Sequence, residues 1–216
     1  MSSYNKTIGG GRKNYLIGVS GIIGAGKSTL TRKLGEEMDL DALYEPVETN
    51  EYLEKFYENM YKYSFGMQIY LLNHRFRQHQ QMVWSDKNTI QDRTIYEDVI
   101  FAKMLKESGM MEELDFKTYV SLFNNMTNFL HRPDVIVYLD VDPKEALRRV
   151  NERSRGCESK MELDYLYALR DGYEEWLKDI SPRIPVLRLD WNTYQDTSQV
   201  VKKIEEVLSG TKGLVI

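Results

Sequence analysis

Four groups of residues in this 216-residue sequence have types and spacings suited to chemistry on a phosphate. The first is Gly21 to Ser28, GIIGAGKS, which satisfies G-x-x-x-x-G-K-[ST] at every constrained position. In that pattern the backbone of Gly21, Ile22, Ile23, Gly24, Ala25 and Gly26 closes around phosphate, and Lys27 reaches the β- and γ-phosphates. Ser28, followed by Thr29, opens a helix and holds Mg²⁺. The second is Glu45, fixed before Pro46, a carboxylate that could take a proton from a primary hydroxyl. The third is Asp92-Arg93-Thr94. Asp92 could bind Mg²⁺ directly or through water, since hard cations take oxygen ligands, and Arg93 could bridge an acceptor and the transferring phosphate. The fourth is Arg149, Arg153 and Arg155 in RVNERSRGCE. Arg149 and Arg153 are four apart and share a helix face, and the group suits neutralising a phosphoryl group in transit. Read alone, Glu45 is an ordinary surface glutamate, Asp92-Arg93 a surface ion pair and the arginines a solvated helix end. Beside a P-loop, the phosphoryl-transfer reading is favoured.

These residues need a frame that brings them together. Apolar, β-branched strand candidates lie at Tyr15–Val19, Ala42–Tyr44, Thr89–Gln91, Val135–Leu139 and Val186–Leu189. Helical patterns cover Lys27–Met38, Glu51–Met60, Phe65–Trp84, Glu97–Glu107, Phe116–Leu130, Pro143–Asn151, Glu162–Asp179 and Thr197–Leu208. Asp142 before Pro143 reads as a cap followed by a first-turn proline. The alternation predicts an α/β fold, a parallel five-stranded sheet with helices on both faces. Ligands of such sheets sit beyond the carboxyl ends of the strands. The P-loop, Glu45 and Asp92 all follow strand ends, so they are expected to converge.

Composition narrows the class. The chain is 42% hydrophobic and 29% charged with a net charge of −4, which argues against general nucleic-acid binding. The single cysteine, Cys157, allows no internal disulfide and suits a reducing, cytoplasmic setting. No apolar run approaches the ~18 residues of a membrane span. Residues 1–13 and 210–216 read as tails around one domain at 14–209. No N-K-x-D segment supports guanine reading, and the length suits a small kinase.

With these residues assembled, the chain resembles the deoxyribonucleoside kinases, specifically the deoxycytidine, deoxyguanosine and deoxyadenosine kinase branch. The resemblance runs from about Tyr15 to about Tyr194. Its signposts are GxxGAGKST at Gly21–Thr29, Glu45-Pro46-Val47, Phe56-Tyr57-Glu58, and Phe65-x-x-Gln68 with Arg75. The block Asp92-Arg93-Thr94-Ile95-Tyr96-Glu97-Asp98 and an arginine-rich lid from Arg149 to Glu158 complete it. The resemblance implies a P-loop kinase fold, ATP as donor, Mg²⁺, a small-molecule deoxynucleoside as acceptor and a homodimer. It implies that Glu45 deprotonates the 5′-hydroxyl and that Arg93 holds that hydroxyl region and the base. Asp92 matches the magnesium-associated acid. Tyr57 and Glu158 match the pair on the 3′-hydroxyl. Gln68 reads the base edge, and Arg75 with Asp98 marks a purine or cytosine preference over thymine. Arg149, Arg153 and Arg155 match the lid arginines. Gln68 and Arg75 are seven apart on one helical pattern, so they share a face about 10.5 Å apart along the axis. Two features depart from the pattern. Asn50 stands where many relatives carry Trp, and the segment after Asp98 is one residue short, which leaves the register of Phe101 open. A nucleoside monophosphate kinase of thymidylate kinase type is the second reading. A non-catalytic nucleotide-binding switch is the third.

Overall fold

A computed structural model describes residues 14–45, 49–153 and 161–210. Five parallel strands form one sheet in the order β2-β3-β1-β4-β5. They are β1 (Leu16–Ser20), β2 (Asp41–Leu43), β3 (Thr89–Asp92), β4 (Val135–Asp140) and β5 (Val186–Asp190). β1 and β3 are buried along their whole length, and β4 along all but its last residue. That is why their sequences read as continuous apolar runs and not as alternation. The strand register sets Val19 beside Asp92 on one side and beside Val137 on the other. β1 sends the chain towards the β2 edge, and β3 sends it across to β4. The sheet thus reverses its winding at the β1/β3 pair, where open sheets leave a crevice at the carboxyl ends.

Eight helices cover the sheet among the described residues: α1 (Lys27–Met38), α2 (Leu53–Glu58), α3 (Met60–Trp84), α4 (Asp98–Glu107), α5 (Glu113–Thr127), α6 (Pro143–Arg153), α7 (Leu163–Ile180) and α8 (Thr197–Leu208). The fold class matches the expectation, and α1 and α8 have the expected bounds. Differences arise where a cap overrides the apolar pattern. α3 starts at Met60, five residues before the expected Phe65. The Asn59 side chain accepts from the Lys62 N–H at 3.0 Å and restarts the helix there. Glu97 does not open α4. It closes a 3₁₀ turn (Ile95–Glu97) through a capping box with Thr94. α5 begins at Glu113, where Glu113 and Asp115 favour a helix first turn. Asp142 caps α6 as expected, its Oδ1 accepting from the Lys144 N–H at 2.8 Å.

The P-loop is clamped between β1 and α6. Gly24 has φ +82°, and a Cβ there would lie 2.3 Å from the Ala146 carbonyl oxygen. The loop can therefore take this path only with glycine at 24. Gly24→Ala is expected to cost about 2 kcal/mol through strain and displacement of α6, lowering Tm by several degrees in a thermal melt. An unchanged Tm would mean that α6 yields without resistance.

Candidate active site

A cavity of about 320 Å³ opens at the carboxyl ends of β1 and β3. Its phosphate end is the P-loop. Ile23, Gly24, Gly26, Lys27, Ser28 and Thr29 line it. Ile22 and Ala25 turn their side chains into the core, and Gly21, with φ +147°, lies against the Leu139 backbone. These three can offer backbone alone. Gly26 adopts φ +92° and starts α1, whose first turn carries no acidic residue. The helix thus keeps its full positive end towards the cavity.

Lys27 is buried, and its Nζ donates to the Ile22 carbonyl at 2.8 Å. Burial, and then the charge of Arg93, lower its pKa to about 7 against the opposing pull of Asp92, Glu45 and Glu97. A triphosphate arriving there would hold the ammonium form. Ser28 Oγ donates to Asp92 Oδ2 at 2.5 Å. Burial raises the Asp92 pKa, with Lys27 pulling it back. Asp92 Oδ1 is buried and has no hydrogen-bond partner among the described residues. An orphaned carboxylate oxygen next to a P-loop hydroxyl fits a small hard cation. No cluster of three His, Cys, Asp or Glu exists among the described residues. Mg²⁺ is usually held by one or two protein oxygens, with phosphate and water supplying the rest.

The other end of the cavity is organised by buried charge. Glu45 lies two residues beyond β2 with its side chain 24% exposed. Its Oε1 accepts from Arg75 Nη2 at 2.7 Å, and its Oε2 accepts from Arg93 Nε at 3.2 Å. Burial alone would push its carboxyl up, but Arg93, Arg75 and Lys27 outweigh it and hold the pKa at about 2. Arg75 comes from the middle of α3 and also donates through Nη1 to Asp98 Oδ1. Asp98 is fully buried, and burial raises its pKa to about 7 against the pull of Arg75. Gln68 and Arg75 share the cavity-facing side of α3 with Met67 and Leu71. Asp98 is not on the cavity wall. It stands behind Arg75 and holds the guanidinium from the rear.

Tyr57 lines the same cavity, from α2, together with Asn50. Phe101 lines it as well, its ring 4.8 Å from the Arg93 guanidinium carbon. The shortened segment after Asp98 therefore still delivers an aromatic ring to the pocket. Arg153 lines the cavity as well. Arg149 lines the cavity too, but its guanidinium is engaged by the protein. It is 8% exposed and donates to the carbonyls of Ala25, Trp191 and Asn192 at 3.2, 2.8 and 2.9 Å, and its guanidinium stacks over Tyr194. It ties the P-loop to the segment after β5. Arg155 and Glu158 lie outside the described residues. Tyr165, Tyr194, Glu97 and Tyr173 belong to the site or its immediate support, although the sequence assigned none of them a role. For Glu97 a signal existed, since Thr94-x-x-Glu97 is a capping-box pattern. The tyrosines carry no such local mark.

The chain is similar to known proteins in sequence and in fold. The sequence profile of the deoxynucleoside kinase family matches residues 17–215. The chain is 48% identical over 189 residues to a deoxyadenosine kinase of Dictyostelium discoideum, covering 88% of this chain and 77% of that protein. It is 37% identical over 203 residues to a deoxyadenosine/deoxycytidine kinase of Bacillus subtilis (strain 168), covering 91% and 93%. The structure of a deoxyadenosine kinase from M. mycoides, with products dCMP and a flexible dCDP bound, superposes with a TM-score of 0.81 at 32% identity. That match covers 90% of this chain and 99% of the other.

The buried charges also make the site a test of stability. Arg75→Met would leave Asp98 buried without its counter-charge, and is expected to cost about 3 kcal/mol or more in urea unfolding. Adding Asp98→Leu to Arg75→Met should recover most of the loss. A single variant as stable as the parent would show that Asp98 finds another partner or takes up a proton.

Proposed function

The chain belongs to the deoxynucleoside kinase family, and from that premise we propose that it transfers the γ-phosphoryl group of ATP to a deoxynucleoside 5′-hydroxyl. The products are a deoxynucleoside monophosphate and ADP, and the role is nucleotide salvage. The acceptor is a purine deoxynucleoside or deoxycytidine. The observation that carries this reading is the position of Glu45, held ionised by Arg75 and Arg93 between the P-loop and the Gln68 face of α3.

The steps follow from these atoms. Gln68 offers a donor and an acceptor to a base edge. Arg75 presents further donors beside it, fixed from behind by Asp98. Tyr57 from α2, with Glu158, would hold the sugar 3′-hydroxyl. Glu45 accepts a hydrogen bond from the 5′-hydroxyl and aims its oxygen at the γ-phosphorus. A carboxylate with a pKa of about 2 is a weak base. The proton therefore passes to Glu45 late, as the new P–O bond forms and the bond to the β–γ bridging oxygen breaks, in keeping with a loose transition state. Lys27 and the P-loop N–H groups hold the oxygens of the donor. Arg153, Arg155 and Arg149 supply the surrounding positive charge. Mg²⁺ held by Ser28 and Asp92 would neutralise charge on the β- and γ-phosphates.

A monophosphate acceptor fits less well. Arg75 and Arg93 are already engaged by Glu45, Asp98 and Glu97, and the Glu45 carboxylate would repel an acceptor phosphate. A switch module would not need Glu45 poised beside a base-reading face. Thymine offers no exocyclic amino group and adds a methyl, so thymidine should be the poorest acceptor. No helix among the described residues is long and apolar enough to cross a membrane. A cytoplasmic homodimer completes the proposal. Its support is the lone cysteine and the exposed apolar side chains Leu114 and Leu122 on α5 and Phe129 just beyond it.

Glu45→Gln is expected to bind deoxynucleoside within a few-fold of the parent while kcat falls about 10²–10³-fold. Turnover like the parent's would remove Glu45 from the chemistry. In steady-state assays with ATP and Mg²⁺, the four deoxynucleosides should rank with thymidine last in kcat/KM, and the monophosphates should not serve as acceptors. Thymidine ranking first would overturn the Gln68–Arg75 argument.

A further inference from the structure

Arg93 is unusual in both backbone and side chain. Its φ is +66°, in the left-handed region that non-glycine residues rarely occupy. Its backbone N–H donates to the Val19 carbonyl at 3.0 Å. Its side chain is 3% exposed, and its guanidinium is divided between two carboxylates and a tyrosine hydroxyl. Nε faces Glu45, and Nη1 faces Glu97 at 3.4 Å and the Tyr173 hydroxyl at 2.7 Å.

Glu97 is the centre of the Nη1 contacts. It is fully buried. Its Oε1 accepts from Ser20 Oγ at 2.8 Å and from the Thr94 N–H at 2.9 Å. Its Oε2 accepts from Arg93 and from the Tyr173 hydroxyl. Ser20 is the last residue of β1, immediately before the P-loop. One carboxylate thus joins the start of the P-loop, the turn that follows Asp92, the Arg93 guanidinium and, through Tyr173, helix α7. Burial, the leading cause, pushes the Tyr173 pKa well above its ordinary value. The hydroxyl therefore keeps its proton, donating to Glu97 while its oxygen accepts from Arg93.

As a device for stability alone this is a poor one, since a buried carboxylate with a buried guanidinium is often no better than apolar side chains of similar shape. Its effect on the site is specific. If Arg93 had Glu45 as its only carboxylate, Glu45 would be fully occupied with neutralising it. Glu97 shares that charge from the far side, leaving Glu45 free to turn a lone pair towards a hydroxyl. It also references Arg93 to the P-loop through Ser20. We propose that Glu97 and Tyr173 are positioning residues for phosphoryl transfer, aiming Arg93 and through it Glu45 at the acceptor hydroxyl. The inference rests on the reading above, in which Arg93 and Glu45 serve that hydroxyl.

The test is a double-mutant cycle on the full chain. Tyr173→Phe keeps the ring packed against Tyr138 and Trp176 and removes one oxygen. Glu97→Gln keeps the shape and removes the charge. Each is made alone and on Arg93→Lys, and kcat, deoxynucleoside KM and Tm are measured. Each single variant is expected to lose about 10-fold in kcat with KM within about threefold of the parent and Tm within a few degrees. On the Arg93→Lys background neither should cause much further loss, because the group they aim is already gone. If Glu97→Gln does not fold, the Tyr173→Phe pair decides alone. A kcat like the parent's in Tyr173→Phe, or a loss that multiplies in full with that of Arg93→Lys, would overturn the positioning role. Parental turnover in Arg93→Lys itself would instead refute the role of Arg93, and is distinguishable because it needs no change at 97 or 173.

Discussion

Two guanidinium groups and one carboxylate line one cavity, two further carboxylates stand behind them, and the site is organised around that shared charge. Arg75 and Arg93 are both nearly inaccessible to water. Each must therefore be matched by carboxylates at close range, since an unpaired buried charge is among the costliest features a protein can carry. Asp98 matches Arg75 from behind, and Glu97 matches Arg93 from behind. Glu45 faces both from the front. It is the most exposed of the five and the only one of the three carboxylates on the cavity wall among the described residues. The rear carboxylates keep the front one from being consumed as a counter-ion.

That arrangement depends on elements distant in sequence. Glu45 follows the edge strand β2, Arg75 sits mid-way along α3, Arg93 follows β3, and Tyr173 comes from α7. They meet because the sheet reverses its winding at the adjacent strands β1 and β3. The same reversal places Ser28, at the start of α1, within hydrogen-bonding distance of Asp92 at the end of β3. The phosphate end and the acceptor end are thus two sides of one strand pair. Arg93, in its left-handed conformation, marks the point where the chain turns from one to the other.

Much of this was legible beforehand. The P-loop pattern, the five strands and their order of alternation with helices are local or periodic signals, and α1 and α8 have the bounds that periodicity implies. Legibility failed where a polar side chain decides a helix start. Asn59 restarts a helix five residues early, and Thr94 with Glu97 turns the expected first residue of α4 into the end of a 3₁₀ turn. It also failed where one side chain serves several partners. Arg149 has the spacing of a free phosphate-seeking arginine, yet it spends its donors on three carbonyls and Glu145. Nothing in the run RVNERSR distinguishes it from Arg153.

The sequence by itself determined the phosphate chemistry, because a P-loop is a contiguous backbone device whose glycines, lysine and hydroxyl are set by neighbours along the chain. It also placed Glu45, Asp92 and Arg93 at strand ends, since strand ends can be read from where apolar runs stop. Only the tertiary structure decided how the charges are divided. Whether Asp98 faces the cavity or stands behind Arg75, and whether Glu97 merely caps a turn or also holds Arg93, depend on how α3, α4 and α7 pack over the sheet. Electrostatic pairing in a buried site is set by distances of a few ångströms between groups dozens of residues apart. Neither composition nor periodicity carries those distances.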